Sequence, residues 1–378
     1  MNIAYVSNVV YPFVTGGAEK RIYEIGTRLV DRGHDVTVYS RHFWDGPPER
    51  TFEGLELRAV ADERSLYTDG RRSIQEAIEF AMSLRRPLTT HIGEHDVLVA
   101  SVFPYFPVFP AAARTWRTDV PLVTTWHECW REYWWEYLGA LGSGGIAVER
   151  AVAKLPQYPI AVSSVTADRL AAIGPDRDRI AVVPNGIDYE EIRATTPVEE
   201  GFDLLFAGRL IDAKNIDTLL RALTRLDAEV TLGIIGDGPV KPELEQLAAT
   251  LGITSQVTFL GFVEEYDDVI GQMKAADVFV APSTREGFGI TLVEAMAANC
   301  TVVAVEGPQT AAAEVIGDAG ILVGASPAAL ADGIERALTT PQGEAGKQRA
   351  ARYDWEAVTT QALGAYEDAV FGTWGQAD

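Results

Sequence analysis

The chain has 378 residues, 47% hydrophobic and 23% charged, a composition that excludes a disordered or fibrous protein and suffices for two domains of ordinary size. Its formal charge of -22 excludes the broad basic surface that nucleic-acid binding requires, so an anionic ligand has to meet a local positive site. Lysine is confined to Lys20, Lys154, Lys214, Lys241, Lys274 and Lys347, an acidic, arginine-biased balance resembling that of proteins from salt-loving organisms, with an ordinary acidic protein as the alternative.

The opening "MNIAYVSNVVYPF" lacks a cationic leader and reads as a first strand. In "TGGAEKRIYEIG", Gly16 and Gly17 precede a helix expected to open at Gly17 and to end at "DRGHD", with Gly33 as its cap. Paired glycines before a helix let backbone N–H groups approach an anion at its positive end, although a flexible loop would use the same residues. With the strand "DVTVYS" this makes a βαβ unit; His34 and His42 read as turn or surface residues. "VLVASVFPYFPVFPAAA", Val97 to Ala113, carries prolines at 104, 107 and 110, which break a spanning helix, so it reads as a buried strand and a loop. No stretch reads as transmembrane.

"LVTTWHECW" ends a strand at His127, where a side chain would project into a cleft; a structural histidine is the plainer alternative. Trp126, Trp130, Tyr133, Trp134, Trp135 and Tyr137 then cluster, to stack on sugars, to anchor at a membrane interface, or to fill a core. A further strand, "IAVSS", follows. In "PDRDR", Asp176 and Asp178 form a D-x-D that could hold a divalent cation, but arginines flank it and a solvated loop fits better. Cys129 and Cys300 form no C-x-x-C, which fits a reducing cytoplasm.

"PNGIDYEEIRATTPVEEG" is polar and strand-poor. Beyond it come the strands "DLLFAGRL", "VTLGIIGDG", "VTFLGFV", "DVFVAPS", "TVVAVEG" and "GILV", with a helix around "IDTLLRALTRL". The alternation predicts an α/β chain of two doubly wound, Rossmann-like domains, residues 1–190 and 200–352, joined near 187 to 201. A terminal helix within 353–378 is expected to cross back to the first domain. Two such domains facing each other would leave a deep cleft lined by the carboxyl ends of their strands.

Arg209 and Lys214 in "FAGRLIDAKN" follow the first strand of the second half, where a guanidinium fork and a point charge would suit a diphosphate, with a solvated loop as the alternative. Gly236 and Gly238 in "IIGDGP" read mostly as a tight turn. In "TREGFGITLVEA", Gly287 and Gly289 would turn the chain and a helix would start near Ile290, placing Glu286 in the turn and Glu294 one turn inside. Both carboxylates could then face one ligand while the helix start offers N–H groups to a phosphate. Carboxylates accept from vicinal hydroxyls, which points to a sugar nucleotide.

Taken together, "GGAEK", "TWHE", "VPNGID", "AGRLIDAKN", "GDGP", "FLGFV" and "PSTREGFGITLVEAMA" resemble the retaining nucleotide-sugar glycosyltransferases of family 4 (glycosyl transferases group 1), which have the GT-B fold. The resemblance runs from residue 3 to about residue 370. It implies that Arg209 and Lys214 hold the donor diphosphate, Glu294 the ribose hydroxyls and Glu286 those of the transferred sugar. It also implies that Gly16 and Gly17 approach the donor phosphate and acceptor, and that His127 reaches the sugar near its anomeric carbon, making His127 and Glu286 the catalytic candidates. Gly236, Val263, Gly287, Phe288 and Gly289 complete the implied donor site; Trp126, Glu128 and Trp130 form the acceptor side.

The resemblance further implies no metal or cofactor, the leaving diphosphate being stabilised by cations and backbone dipoles, and front-face attack with retention, since no well-placed carboxylate nucleophile is apparent. Three departures stand out: Asn215 where the family has glycine, "AANCTVVA" for a common Gly-Pro, and "EGPQTAAAEVI" without Gly-Gly before Glu314. The expectation is a cytoplasmic hexosyltransferase, from a UDP- or GDP-linked donor to a glycan or lipid-linked acceptor, with peripheral contact at the inner membrane face. A nucleotide-sugar epimerase and a non-catalytic carbohydrate-binding protein are the alternatives. No nucleic-acid partner is expected and no oligomeric state follows.

Overall fold

Short β-branched runs become the parallel strands of two separate sheets in the computed structural model, which describes residues 1–68, 71–226 and 229–375. The last three residues of the terminal segment expected to reach 378 lie outside the described ones. The chain divides into two compact units, Met1–Pro184 with Glu356–Asp378, and Asn185–Trp355.

In the first unit the strands are β1 (Asn2–Val6), β2 (Asp35–His42), β3 (Glu49–Phe52), β4 (Leu55–Asp62), β5 (Tyr67–Thr68), β6 (Arg71–Arg72), β7 (Val97–Ser101), β8 (Leu122–Trp126), β9 (Tyr158–Ala161) and β10 (Ala181–Val182). Eight of them form one sheet in the order β10-β9-β8-β7-β1-β2-β4-β3, and β5 pairs with β6 separately. Only the edge pair β3–β4 of the large sheet is antiparallel. Strand order reverses at β1, between β2 and β7. A helix over Gly17–Asp31 follows β1, and Gly33, at φ +85°, turns the chain out of it. At Gly26 that helix comes close to Leu55 and Val36, and a Cβ there would lie 3.0 Å from Leu55. Phe80, Leu84, Leu88 and Ile92 pack with Leu98 and Ala100 of β7 in a core cluster.

The second unit holds β11 (Leu204–Ala207), β12 (Leu232–Ile235), β13 (Val257–Gly261), β14 (Val278–Ala281), β15 (Thr301–Val305) and β16 (Ile321–Val323), ordered β13-β12-β11-β14-β15-β16 and all parallel. This is the doubly wound order, with its switch point between β11 and β14. The leucine-rich helix Ile216–Leu223 buries Leu219, Leu220 and Leu223 in a cluster with Val303 and Ile334. Both sheets are covered by helices, as apolar parallel strands demand.

The boundary lies at Pro184/Asn185, earlier than the expected break between 190 and 200. The cause is a local pairing: the Ile187 N–H donates to the Tyr353 carbonyl at 2.9 Å, and the Trp355 N–H donates to Ile187 at 3.1 Å. Gly186 lies against the buried Trp355 ring. Residues 185–190 are thereby held by the end of the second unit. The helix Trp355–Phe371 enters the first unit from Glu356 onward, where Tyr366 and Tyr5 share a hydrogen bond of 3.1 Å and Glu356 pairs with Arg32 at 2.6 Å. Among the described residues, no helix is long and apolar enough to cross a membrane.

Candidate active site

Lys214 and Glu286 follow the two strands that flank the second unit's switch point. Lys214 ends a 3-10 turn after β11, and Glu286 lies in the loop after β14. The two side chains form an ion pair, each about a fifth exposed at 20% and 19%. Main-chain bonds fix both loops: Thr284 donates to the Ala213 carbonyl at 3.0 Å, Glu286 to Gln309 at 2.9 Å, and Ala311 to Glu286 at 3.0 Å. A small pocket next to the pair is lined by Ala207, Ser283, Thr291 and Thr310. Asn215 takes the left-handed conformation at φ +54°, which asparagine tolerates better than most residues, so the departure from glycine keeps the backbone. Its amide donates to Pro282 at 3.2 Å and its oxygen accepts from Thr218 at 2.8 Å, tying the two loops once more.

The helix Ile290–Ala297 starts where its glycine predicts. Gly289 precedes it at φ +84°, and a Cβ there would sit 2.7 Å from Leu292 and 3.1 Å from the Glu286 side chain. The positive φ favours glycine there. Glu294 is buried one turn inside and accepts from the Tyr266 hydroxyl at 2.9 Å. Burial and the adjacent Glu294 charge push the Tyr266 hydroxyl far above the usual tyrosine range, so it stays a donor. Arg209 is exposed and its side chain makes no ion pair among the described residues. At Gly236, φ +127°, a Cβ would lie 2.0 Å from the Gly208 carbonyl. The lack of a side chain there lets two post-strand turns touch.

In the first unit, Gly16 is the extended residue before the helix Gly17–Asp31, and the Glu19 carboxylate occupies the space a Gly16 side chain would need. One turn further on, Arg21 is buried and donates to the carbonyls of Val183, at 3.2 Å, and Pro184. His127 shares a pocket with Arg21, Tyr5, Ser101 and Tyr366, lined by the carboxyl-terminal halves of β1, β7 and β8. Burial first, and the Arg21 charge second, lower its pKa to about 3, so the ring is neutral at physiological pH.

The family models place these loops in a known framework. The model described as Glycosyltransferase Family 4 matches residues 15–191, and Glycosyl transferases group 1 matches residues 188–354. A D-inositol 3-phosphate glycosyltransferase of Frankia alni is 32% identical, over 94% of this chain and 95% of its own. The chain belongs to glycosyltransferase family 4. A glycogen synthase of Mycobacterium tuberculosis is 28% identical over 97% of this chain and 94% of its own. Among solved structures, Anabaena Alr3699/HepE in complex with UDP-glucose superposes with a TM-score of 0.73 at 20% identity, covering 97% of this chain and 100% of that one. The fold is GT-B, built of two Rossmann-like units.

For a family 4 glycosyltransferase, several expected site residues are placed differently by the packing. Trp126 is fully buried and its indole donates to Thr124 at 3.1 Å; strand alternation turns it into the core, away from the face that His127 takes. Phe288 is 4% exposed with its ring edge-on to Tyr353 at 5.5 Å, so only its backbone is available to a donor. Trp130 is half-buried against Phe103, Trp134 and Tyr137, and its indole donates to Glu128 at 2.9 Å. Gly287 and Val263 are partly exposed in the loops after β14 and β13. Asp176 and Asp178 lie in and before the exposed turn Arg177–Arg179.

Three supporting residues escaped sequence reasoning. Tyr266 anchors Glu294. Arg21 anchors the glycine-led helix. Glu149, fully buried, accepts from the Tyr105 hydroxyl at 2.8 Å and from the backbone N–H groups of Trp130 at 2.6 Å and Arg131 at 2.8 Å, fixing the loop after His127. Each is one charged or phenolic side chain whose partner is remote in sequence, so no local pattern marks it.

Proposed function

We propose that this family 4 glycosyltransferase moves a hexose from a UDP- or GDP-linked donor to a glycan or lipid-linked acceptor, with retention at the anomeric carbon and without a metal. The observation that carries this reading is the Lys214–Glu286 pair at the second unit's switch point, with Glu294 on the adjoining helix. Lys214 and Arg209 offer charge to the diphosphate, the start of helix Ile290–Ala297 offers N–H groups, and two carboxylates offer acceptors for sugar and ribose hydroxyls. The UDP-glucose complex of the Anabaena protein supports a nucleotide-sugar donor.

In the proposed step the bond from the anomeric carbon to the diphosphate oxygen breaks as the acceptor oxygen bonds to the same face, and a donor phosphate oxygen takes the acceptor proton. Lys214 and Arg209 stabilise the charge that develops on the leaving group. His127, hard to protonate, acts as a neutral hydrogen-bonding partner for the sugar and not as the base. The cytoplasmic placement rests on two unpaired, buried thiols, Cys129 and Cys300.

The test is turnover of UDP- and GDP-sugars in chelator, with the product anomer read by NMR. Nucleoside diphosphate release that depends on acceptor and gives a retained product supports the reading. Conversion of donor without acceptor would identify an epimerase, and turnover only after a divalent cation is restored would remove the metal-free mechanism.

A further inference from the structure

The helix Ile74–Ser83 leaves Ile74, Ile78 and Met82 exposed at 51%, 44% and 58%, spaced four residues apart along one face. Ile78 and Met82 line an open groove whose other wall comes from the helix Val108–Thr115, and just beyond that helix Trp116 stands 79% exposed. Arg85, Arg114 and Arg117 line the same groove, and no acidic side chain among its described lining residues does. The acids of the first helix are engaged elsewhere. Glu79 pairs with Arg64 and lines a different pocket, and Glu76 is buried against Arg41 at 2.7 Å. An acid-free concentration of arginine beside exposed aliphatic and indole groups is anomalous in a chain of charge -22.

We infer that this face docks the molecule on the surface of an anionic phospholipid bilayer. Isoleucine, methionine and tryptophan side chains standing out from the surface can enter the headgroup–acyl boundary, where an indole is at home. The guanidinium groups meet lipid phosphates in forked geometry while their alkyl stems lie along the apolar layer. A bilayer satisfies both halves of the groove at once, whereas an acidic protein surface offers carboxylates without a continuous apolar medium for Trp116. The inference is independent of which donor or acceptor the enzyme uses. The net negative charge opposes non-specific approach to an anionic surface, so docking depends on this local patch.

Flotation of the full chain with vesicles tests it. We expect binding to phosphatidylcholine vesicles containing about 30% phosphatidylglycerol at about 0.1 M NaCl, little binding to phosphatidylcholine alone, and release as salt rises. Each arginine neutralised should weaken partitioning about fivefold, equivalent to about 1 kcal/mol per charge. Arg85→Gln with Arg117→Gln therefore loses on the order of 25-fold. Met82→Ser with Trp116→Ser should lose binding through the apolar half alone, and melting curves that match the wild type exclude misfolding of either variant. Wild-type chain that stays unbound with anionic vesicles overturns the proposal, as does undiminished binding by both double variants. Saturable binding of monomeric short-chain phosphatidylglycerol without vesicle partitioning also overturns it, in favour of a single-lipid pocket.

Discussion

Glu286→Gln should separate binding from turnover in opposite directions, because Glu286 pairs with Lys214, the cation proposed to hold the donor diphosphate. The magnitude follows from the pair's setting. At contact and an effective dielectric near 20 the gross attraction is about 4 kcal/mol. Exposed pairs retain at most about 1 kcal/mol of this, and breaking buried ones costs about 3–5 kcal/mol. With the side chains 20% and 19% exposed, a net value of about 1–2 kcal/mol is reasonable. Releasing Lys214 from this competition should tighten binding of the free nucleoside diphosphate by about 5- to 30-fold. Turnover should fall by about 10²-fold or more if Glu286 makes the proposed contact with the transferred sugar. Lys214→Ala removes the charge itself, so it should weaken diphosphate binding and lower turnover by a similar factor. Calorimetry with UDP and GDP, paired with initial rates on a verified donor, reads both quantities. Weaker or unchanged diphosphate binding by Glu286→Gln would refute the competition, and near-normal turnover from either variant would refute the site.

Tyr266→Phe deletes the hydroxyl that donates to Glu294 at 2.9 Å; with a bond to a charged group contributing about 1.5–3 kcal/mol, part of which reaches the ligand, we expect about tenfold weaker nucleoside diphosphate binding and a largely preserved kcat. A fall in kcat with unchanged binding, followed by calorimetry and steady-state kinetics, would show that the hydroxyl serves another purpose. His127 has a folded pKa of about 3 against an ordinary 6.5, so the unfolded chain binds the extra proton between those values and stability should decline as pH falls from 6.5 toward 3. His127→Gln should flatten that part of a denaturant-midpoint profile; a slope identical to that of the wild type contradicts the assignment. With a charge of -22, repulsion screened by salt should raise the melting temperature as KCl increases. Stability that declines monotonically with KCl would sink the salt-adapted reading.

Much of the fold was legible because hydrophobic runs and glycines act locally. The helix starts at Gly17 and Ile290, the turn at Gly33, and both sets of parallel strands follow from patterns a few residues long. The hairpin Glu49–Asp62 was not legible: charged residues interrupt its alternation, and it lies at a sheet edge where one strand side needs no partner. Within the candidate site, Lys214 stands out in the sequence because the chain has so few lysines, and the structure pairs it with Glu286. Glu149 was hidden among 54 acids because its burial depends on Tyr105, 44 residues away, and Arg21 because the carbonyls it binds lie 162 and 163 residues away. The burial of the Trp126 and Phe288 side chains is not readable from their neighbours, since adjacency in sequence does not fix which face a side chain takes.

The second unit's switch point is proposed to bind a nucleotide sugar through Lys214, Glu286 and Glu294. Calorimetric titration of the full chain with UDP, GDP and ADP in chelator tests it most directly. The expected result is saturable binding of UDP or GDP that Lys214→Ala weakens by about 10²-fold and that Glu294→Gln also weakens. Absence of binding by all three, or binding that neither substitution changes, would contradict it.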